Sequence, residues 1–458
     1  MAPPAETVTI VQTPSAPKSF LSVTLRKGGS KGAEASKKSV SWDELALHNT
    51  PDNCWIAVEG VCYDVTQWRA THPGGWRLLE FFAGQDATEP FLAYHPTTSR
   101  KLAVARMPEF RVGIMEPKKI SIQAEKYREM AKTVEAAGLY KPNPSYYIPL
   151  YAYLTALYIA TWMLVRSEQI LLASCTIGAF WGQLAFVGHD VGHRCVYASK
   201  KANDILGLVV TAFLGIGFSH WVDNHNAHHA VVNSSDCDPE VQFMPFIATS
   251  TLHFEHTRPN MTPMEKRLSS ISQRLVSYQH YSFIPLLFFA RYKFYVQSLH
   301  SWATAKLYVG RWSELAAQMF FFTWLVALAL QLPTWPQVIV WVVMSHASDW
   351  VLYLQTVITH FPRDIRPGVQ PEWVEAQAIG TLNWTCPAWL DWYHGGLHFQ
   401  IEHHLFPRIP RHNLRKSSLL LKPFLEDLGI EYHAPTFFGA INESFESLKR
   451  VAMEARRG

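Results

Sequence analysis

Charge is scarce in this chain. Asp, Glu, Lys and Arg make up 17% of its 458 residues, against about 25% in ordinary soluble proteins. The net charge of +4 is small. No concentrated basic stripe accompanies it, which excludes a dedicated nucleic-acid binder. Cysteine is scarce as well: Cys54, Cys62, Cys175, Cys195, Cys237 and Cys386 are scattered, without a CxxC pair. That excludes a disulfide framework and a zinc–thiolate site, and it fits a reducing, cytosol-facing environment. The first residues lack the basic start, long apolar core and cleavage site of a secretory signal. Residues 1–37, rich in Ala, Pro, Ser, Thr and Lys, read as a disordered tail. Aromatic residues, by contrast, reach 13%, and histidine numbers 21. A mean hydropathy of −0.03 averages a polar part and a membrane part, which a pass along the chain separates.

Residues 38–115 read as a small soluble domain. A Ser-led short helix opens it, and "CWIAVEG" and "VCYDV" are strand candidates with Gly60 at the turn. Two short helices follow within "THPGGWRLLEFFAGQDATEPFLAYHP". Residues 116–145 are charged, amphipathic and helical, a linker. From 146 the composition changes. "YYIPLYAYLTALYIATWMLV" runs 20 residues without a charge, enough to cross a hydrocarbon core of about 30 Å. Residues 170–188, 315–332 and 335–358 complete two tight pairs of spans. The apolar runs 205–218 and 282–290 are too short to cross comfortably and read as interfacial or buried helices. Four crossings leave the tail, the soluble domain, the 189–313 segment and the end from 359 on one face. The 189–313 segment carries eleven Lys and Arg, among them Arg258, Lys266, Arg291 and Lys306, and the hairpin loops opposite carry almost none. The positive-charge bias makes that face cytosolic.

Histidines cluster on the same face. "HDVGH" ends the second span, with His189 and His193 at i and i+4 on one helix face, so both imidazoles can reach one ion. "HNAHH" supplies His225, His228 and His229, and "QIEHH" supplies Gln400, His403 and His404. A lone HxxxH is more often a surface or capping feature than a site. Three such clusters just past membrane exits outweigh that reading. Seven imidazoles exceed what one tetrahedral zinc needs. Imidazole also suits iron, and the number points to two ions. In the soluble domain, His72 precedes a Pro-Gly-Gly turn that lets backbone pass close to a flat cofactor, and His95 follows 23 positions later. The two helices between them can set the imidazoles on opposite sides of one haem, with Leu78, Leu79, Phe81, Phe82 and Phe91 lining the pocket. Bis-histidine ligation leaves no open position, so such a haem carries electrons and does not bind O₂.

HDxxH, HxxHH and QxxHH around two transmembrane pairs resemble the boxes of membrane fatty acyl desaturases. Gln in place of the first His of the third box, within "DWYHGGLHFQIEHHLFPRIPRHNL", resembles their front-end subclass. "HPGG" with "AGQDATEPF" and the second His resembles cytochrome b5, fused as in front-end desaturases. The resemblance covers about 38–440. It implies a multi-domain chain: a 1–37 tail, a small α+β haem-binding domain at 38–115, a 116–145 helical linker, and an all-α four-span transmembrane desaturase domain at 146–458 with a cytosolic helical cap. It implies a di-iron centre held by His189, His193, His225, His228, His229, His403 and His404, with Gln400 near or on the metal. His360, after the fourth span, is implied as a further ligand, and Thr359 departs from the Asn that often precedes it in the family. No catalytic residue separate from the ligands is implied. His72 and His95 would be the axial ligands of a haem b. His394 and His398 stand where many relatives carry other residues, and they read either as groups orienting the ligands or as exposed and uninvolved.

An unactivated methylene offers no acid/base or nucleophilic handle. The oxidising chemistry therefore belongs to the cofactor, and the protein supplies positioning and exclusion of water. The resemblance implies a front-end desaturase of the endoplasmic reticulum membrane, multi-pass, with both termini cytosolic. It would place a cis double bond between the carboxyl end and an existing double bond, at Δ5, Δ6 or Δ8, of a C18 or C20 polyunsaturated chain on CoA or phospholipid. O₂ is the co-substrate, and electrons pass through the chain's own haem domain. No dinucleotide-type GxGxxG unit occurs, so NADH acts through a partner, a cytochrome b5 reductase. The partners expected are thus an acyl substrate, that reductase and membrane lipid. The runner-up is a sphingoid long-chain-base Δ8 desaturase. A di-iron hydroxylase shares the boxes, and a membrane-anchored haem carrier would need only His72, His95 and an anchor. One further feature lies in the fourth span. His346, Asp349, Tyr353 and His360 fall within about 60° of one another on a 100°-per-residue wheel, and ionisable groups at membrane depth face the protein interior. The stripe reads either as running along an acyl channel or as a polar cluster bridging helices.

Overall fold

The computed structural model describes residues 38–253, 263–304 and 309–457. The 1–37 tail and the charges Arg258 and Lys306 lie outside the described residues.

The first part is a small five-stranded sheet with short helices. Strands β1 (Ser39–Val40), β2 (Asn49–Thr50), β3 (Asn53–Val58), β4 (Val61–Asp64) and β5 (Arg111–Met115) run in the order β1-β5-β4-β3-β2. β1 pairs parallel with β5, and the other pairs are antiparallel. Glu59 and Gly60, both at positive φ, make the tight β3–β4 turn that a right-twisted hairpin prefers. Helices Trp76–Phe81 and Thr88–Tyr94 lie between His72 and His95. β5, which no strand candidate anticipated, returns after the last helix of this part to join the sheet between β1 and β4.

Helix Ile122–Ala136 begins at Ser121, whose side chain accepts the amide of Ala124 and satisfies an exposed helix-end donor. It buries Tyr127, Ala131 and Val134. These join one continuous apolar core with Leu78, Phe82 and Leu92 on one side and Ile401, Leu405 and Phe406 on the other. The small sheet domain is therefore packed onto the rest of the chain through this helix.

Among the described residues, four helices are long and apolar enough to cross a membrane: Pro144–Arg166, Ile170–Gly192, Arg311–Ala329 and Trp335–Ile358. The expected spans thus exist, displaced by a few residues at their ends. Gly178 of the second span lies against Ser348 of the fourth; a Cβ there would come within 2.2 Å of the Ser348 hydroxyl, the close approach that small residues permit between membrane helices. The 205–218 run belongs to helix Lys200–Leu214, which meets helix Phe218–Ala230 at a 107° bend. Gly215 makes the bend at φ +79°, with Phe321 filling the space where a Cβ would stand. The bend turns the second histidine cluster back under the ends of the spans. The 282–290 run falls mostly in helix Gln279–Leu287, which buries Phe283 and Leu287. The chain ends in a cap of helices, Trp373–Ile379, Gln400–Leu405, Arg411–Asp427 and Phe437–Arg457. All six cysteines are unpaired.

Arg291, one of the charges counted toward the positive face, is fully buried. Its guanidinium bonds Asp349 of the fourth span at 2.6 Å and lies 3.9 Å over the Trp181 ring. It contributes nothing to a surface charge bias.

Candidate functional site

Helix spacing and the 107° bend bring all three clusters together. His189, His193, His225, His229 and His403 form one group whose potential ligand atoms lie within 4.8 Å of one another, and His228, His360 and His404 form a second. The groups abut: the rings of His229 and His404 stack with centroids 4.1 Å apart. Every member is buried except His189, which is half-buried.

The donor atoms decide what such a cluster can hold. Buried ring nitrogens nearly always have a partner. Here Nε2 of His189, His193, His228, His403 and His404 and Nδ1 of His229 are buried with none. His225 and His229 point Nε2 at Nε2 across 3.1 Å, a contact that needs a proton or a cation between the two rings. Five unpaired Nε2 atoms and the facing His225–His229 pair, gathered in two groups, fit two metal ions bound through imidazole.

The opposite ring nitrogens are fixed. His228 Nδ1 donates to Asp238 at 2.8 Å, His225 Nδ1 to Glu240 at 2.8 Å, His404 Nδ1 to Gln377 at 3.0 Å, and His360 Nδ1 to the Gly380 carbonyl at 3.2 Å. Each such bond selects the tautomer that leaves Nε2 free for a metal. Asp238 is fully buried. These four partners were missed by sequence reasoning. Asp238 and Glu240 had a faint signal, two acids ten or so residues beyond HxxHH. Gln377 and Gly380 had none.

Gln400 sets its amide nitrogen 3.1 Å from His360 Nε2 and leaves Oε1 buried without a partner. It stands at the rim of the second group with one oxygen to offer. Thr359 turns its hydroxyl back onto the Thr356 carbonyl of its own helix. His394 and His398 stand apart from both groups. They are buried, not exposed, and bond Gln355 at 2.8 Å and Asp391 at 3.0 Å. Neither bonds an imidazole of the two groups: His394 is held by Gln355 of the fourth span and His398 by Asp391. Cys386, Asp391 and His398 also come close together, but Arg415 occupies both Asp391 oxygens, so that trio is an ion-pair network.

A cavity of about 550 Å³ opens from the two groups. His189, His228, His360 and Gln400 form one part of its wall, and apolar side chains including Leu214, Phe283, Leu287 and Leu352 form most of the rest. Tyr353 and His360 line it, whereas His346 and Asp349 do not. The fourth span breaks between Ala347 and Trp350, so the wheel phase is lost there. His346 stacks on Tyr292 at 4.9 Å, and Asp349 pairs with Arg291. The predicted stripe therefore divides: one half lines the cavity and the other bridges helices.

In the small domain the rings of His72 and His95 face each other with centroids 6.2 Å apart. Two imidazoles each about 2.0–2.1 Å from one ion on opposite sides have centroids roughly 6 Å apart. His72 Nδ1 donates to the Gly75 carbonyl at 3.0 Å and His95 Nδ1 to that of Phe91 at 3.1 Å. Burial pushes His72 below the usual imidazole range. Burial, with His72 alongside, takes His95 down to about 3. Both rings are neutral, as ligation requires. A Cβ on Gly74 would come within 2.9 Å of the His72 ring, so the turn needs glycine there. The pair fits a bis-histidine haem.

Buried imidazole groups on an apolar cavity, beneath a bis-histidine domain and at the ends of four apolar helices, define a membrane redox enzyme acting on an apolar substrate. Residues 168–436 match the fatty acid desaturase family, and residues 41–116 match the cytochrome b5-like heme/steroid binding domain. The chain is 34% identical to the acyl-lipid (9-3)-desaturase of Borago officinalis over 92% of its own length and 95% of that protein. It is 31% identical to the delta(8)-fatty-acid desaturase of Helianthus annuus over 92% and 93%. It is 34% identical to the delta 8-(E)-sphingolipid desaturase of Emericella nidulans over 72% and 63%. Among solved structures, the cytochrome b5 of Ostreococcus tauri virus 2 is 38% identical over 17% of this chain and 95% of that one, with a TM-score of 0.16. The chain belongs to the fatty acid desaturase family, with a cytochrome b5 domain on the N-terminal side of the desaturase domain, and is an oxidoreductase of fatty acid metabolism.

Proposed function

We propose that the chain is a front-end desaturase, placing a cis double bond between the carboxyl end and an existing double bond of a C18 or C20 polyunsaturated acyl chain. The observation that carries this is the apolar cavity ending on two groups of imidazoles with buried, unpaired ring nitrogens. The two irons would be held by His189, His193, His225, His229 and His403 and by His228, His360 and His404, with Gln400 beside the second. When bound, they supply the oxidising power, with O₂, that removes hydrogen from an unactivated methylene. The chain's residues do the rest. Asp238, Glu240, Gln377 and the Gly380 carbonyl hold the imidazoles in the ligating tautomer. Leu214, Phe283 and Leu352 bury the acyl chain and exclude water. Forming one double bond releases two electrons, and reducing O₂ to water takes four. The domain carrying His72 and His95 supplies the other two, recharged from NADH by a separate reductase.

Apolar packing alone sets the reaction position poorly. Burying one methylene more or less changes binding by about 0.8 kcal/mol, roughly fourfold in affinity. A polar anchor must fix the register, and His220, Asn224, Lys293 and Gln297 in the cavity wall are suited to hold the carboxyl or head-group end. We place the chain in the endoplasmic reticulum membrane with both termini cytosolic, since the histidine groups, the haem domain and the cap then share the face that a cytosolic reductase reaches. The domain limits that go with this reading are 38–115, 116–145 and 146–458.

The sphingolipid desaturase among the relatives favours a second reading, a Δ8 desaturase of sphingoid bases. Expression in yeast separates the two. Cells fed C18 and C20 polyunsaturated acids should yield products with one additional double bond on the carboxyl side. A new double bond confined to long-chain bases would instead establish the second reading.

A further inference from the structure

The haem domain does not hang on a loose tether. It rests on the helix that carries the second histidine cluster, and the contacts fall close to its own two histidines, from Gly74, Arg77 and Tyr94. Asn226, between His225 and His228, donates its side-chain amide to the Gly74 carbonyl at 3.1 Å, two residues from His72. The Asn226 carbonyl accepts the Tyr94 hydroxyl at 3.1 Å, and Tyr94 adjoins His95. Arg77 reaches the same helix, bonding Asn224 at 3.1 Å and lying 3.6 Å from Asp223. Arg408, four residues after His404, donates to the Tyr94 carbonyl at 3.3 Å. Linker helix Ile122–Ala136 locks the arrangement from the side: Tyr127 bonds the Leu405 carbonyl at 2.8 Å and stacks on Phe406 at 5.0 Å.

From this geometry we infer that electron delivery occurs within one chain, in this docked pose, and that Asn226 and Arg77 are the positioning residues that hold it. The inference rests on the reading that the haem domain supplies the outside electrons. With both groups bound, each transfer would take one electron from the haem held by His72 and His95 and give one to the di-iron group, and two transfers would serve one turnover. The route runs from His72 along two residues of main chain to Gly74, across one hydrogen bond to Asn226, and along one residue to His225. A second contact joins Tyr94, next to His95, to the same residue. Docking fixes this route, whereas a flexible linker would only raise the local concentration of the donor. Arg77 adds a charged contact at the edge, the kind that sets orientation more than affinity.

The test uses the full iron- and haem-loaded chain without substrate. Flash photoreduction with deazaflavin puts an electron on the haem, and its reoxidation by the ferric di-iron group is followed by absorbance. In the native chain the rate should not vary with protein concentration. Asn226→Ala and Arg77→Glu should each slow it at least tenfold with the haem spectrum unchanged. Amide hydrogen exchange at residues 71–77, read independently of any electron transfer, should rise several-fold in both. If Asn226→Ala loses iron, Arg77→Glu, which lies on the other domain, decides. Rates within twofold of native despite raised exchange, or unchanged exchange, would overturn the positioning role. A native rate that scales with protein concentration would overturn delivery within one chain. A native haem that never reoxidises at full iron content would instead overturn the underlying reading.

Discussion

His72→Ala should yield a chain with no haem and no desaturated product, yet with its non-haem iron in place. His228→Ala should do the converse: no product, a depleted metal group, and an intact reduced haem spectrum. Both effects are complete losses. The Gly75 bond to His72 Nδ1 and the Phe91 bond to His95 Nδ1 aim two Nε2 atoms at one ion, and one imidazole alone leaves an iron site half-filled. His228 is one of three imidazoles in its group, and Asp238 is its buried partner at 2.8 Å. Removing the ring empties a ligand position and takes away the imidazole that pairs with Asp238, which keeps only the Asn233 and Glu240 amides as donors. Metal analysis and spectra on the two purified variants check the division. Full activity in His72→Ala would mean that this domain is not the required donor.

Asp349→Ala should destabilise the membrane domain by about 3–5 kcal/mol, the usual result of removing one partner of a buried ion pair. Arg291 and Asp349 are both fully buried in side chain and lie 2.6 Å apart. The Arg291 guanidinium also donates to the Tyr295 hydroxyl at 2.6 Å and the Leu214 carbonyl at 2.5 Å. Without Asp349 its charge has only neutral partners. Asp349→Asn keeps an acceptor and should lose less. Arg291→Met with Asp349→Leu removes both charges and should recover most of the stability, since a matched apolar pair often equals a buried salt bridge. Denaturant unfolding in one detergent across the four chains measures the effect. Equal stability of Asp349→Ala and the native chain would show that Arg291 finds another counter-charge.

The histidine clusters were legible because their information is local. HDxxH, HxxHH and QxxHH each place two or more rings on one helical face, and the uncharged runs beside them show where the chain leaves the membrane. Spans, clusters and the His72–His95 pair all follow from spacing within about 25 residues. What the sequence hid is long-range. The Asn226–Gly74 bond joins residues 152 apart, and Gln377 reaches His404 from a helix with no motif. Arg291 resembled a loop charge until its helix proved to be packed against the fourth span. The His346–Asp349–Tyr353–His360 stripe assumed an unbroken helix. With the break near Ser348, Asp349 pairs with Arg291 and His346 stacks on Tyr292, while Tyr353 and His360 line the cavity.

On the proposed reading, the two imidazole groups hold two irons. Metal analysis of the purified, active full-length chain, with haem counted separately by its pyridine haemochrome spectrum, tests it most directly. The expected content is two non-haem irons and one haem per chain. Stoichiometric zinc in place of the non-haem iron, in protein that still desaturates, would contradict it.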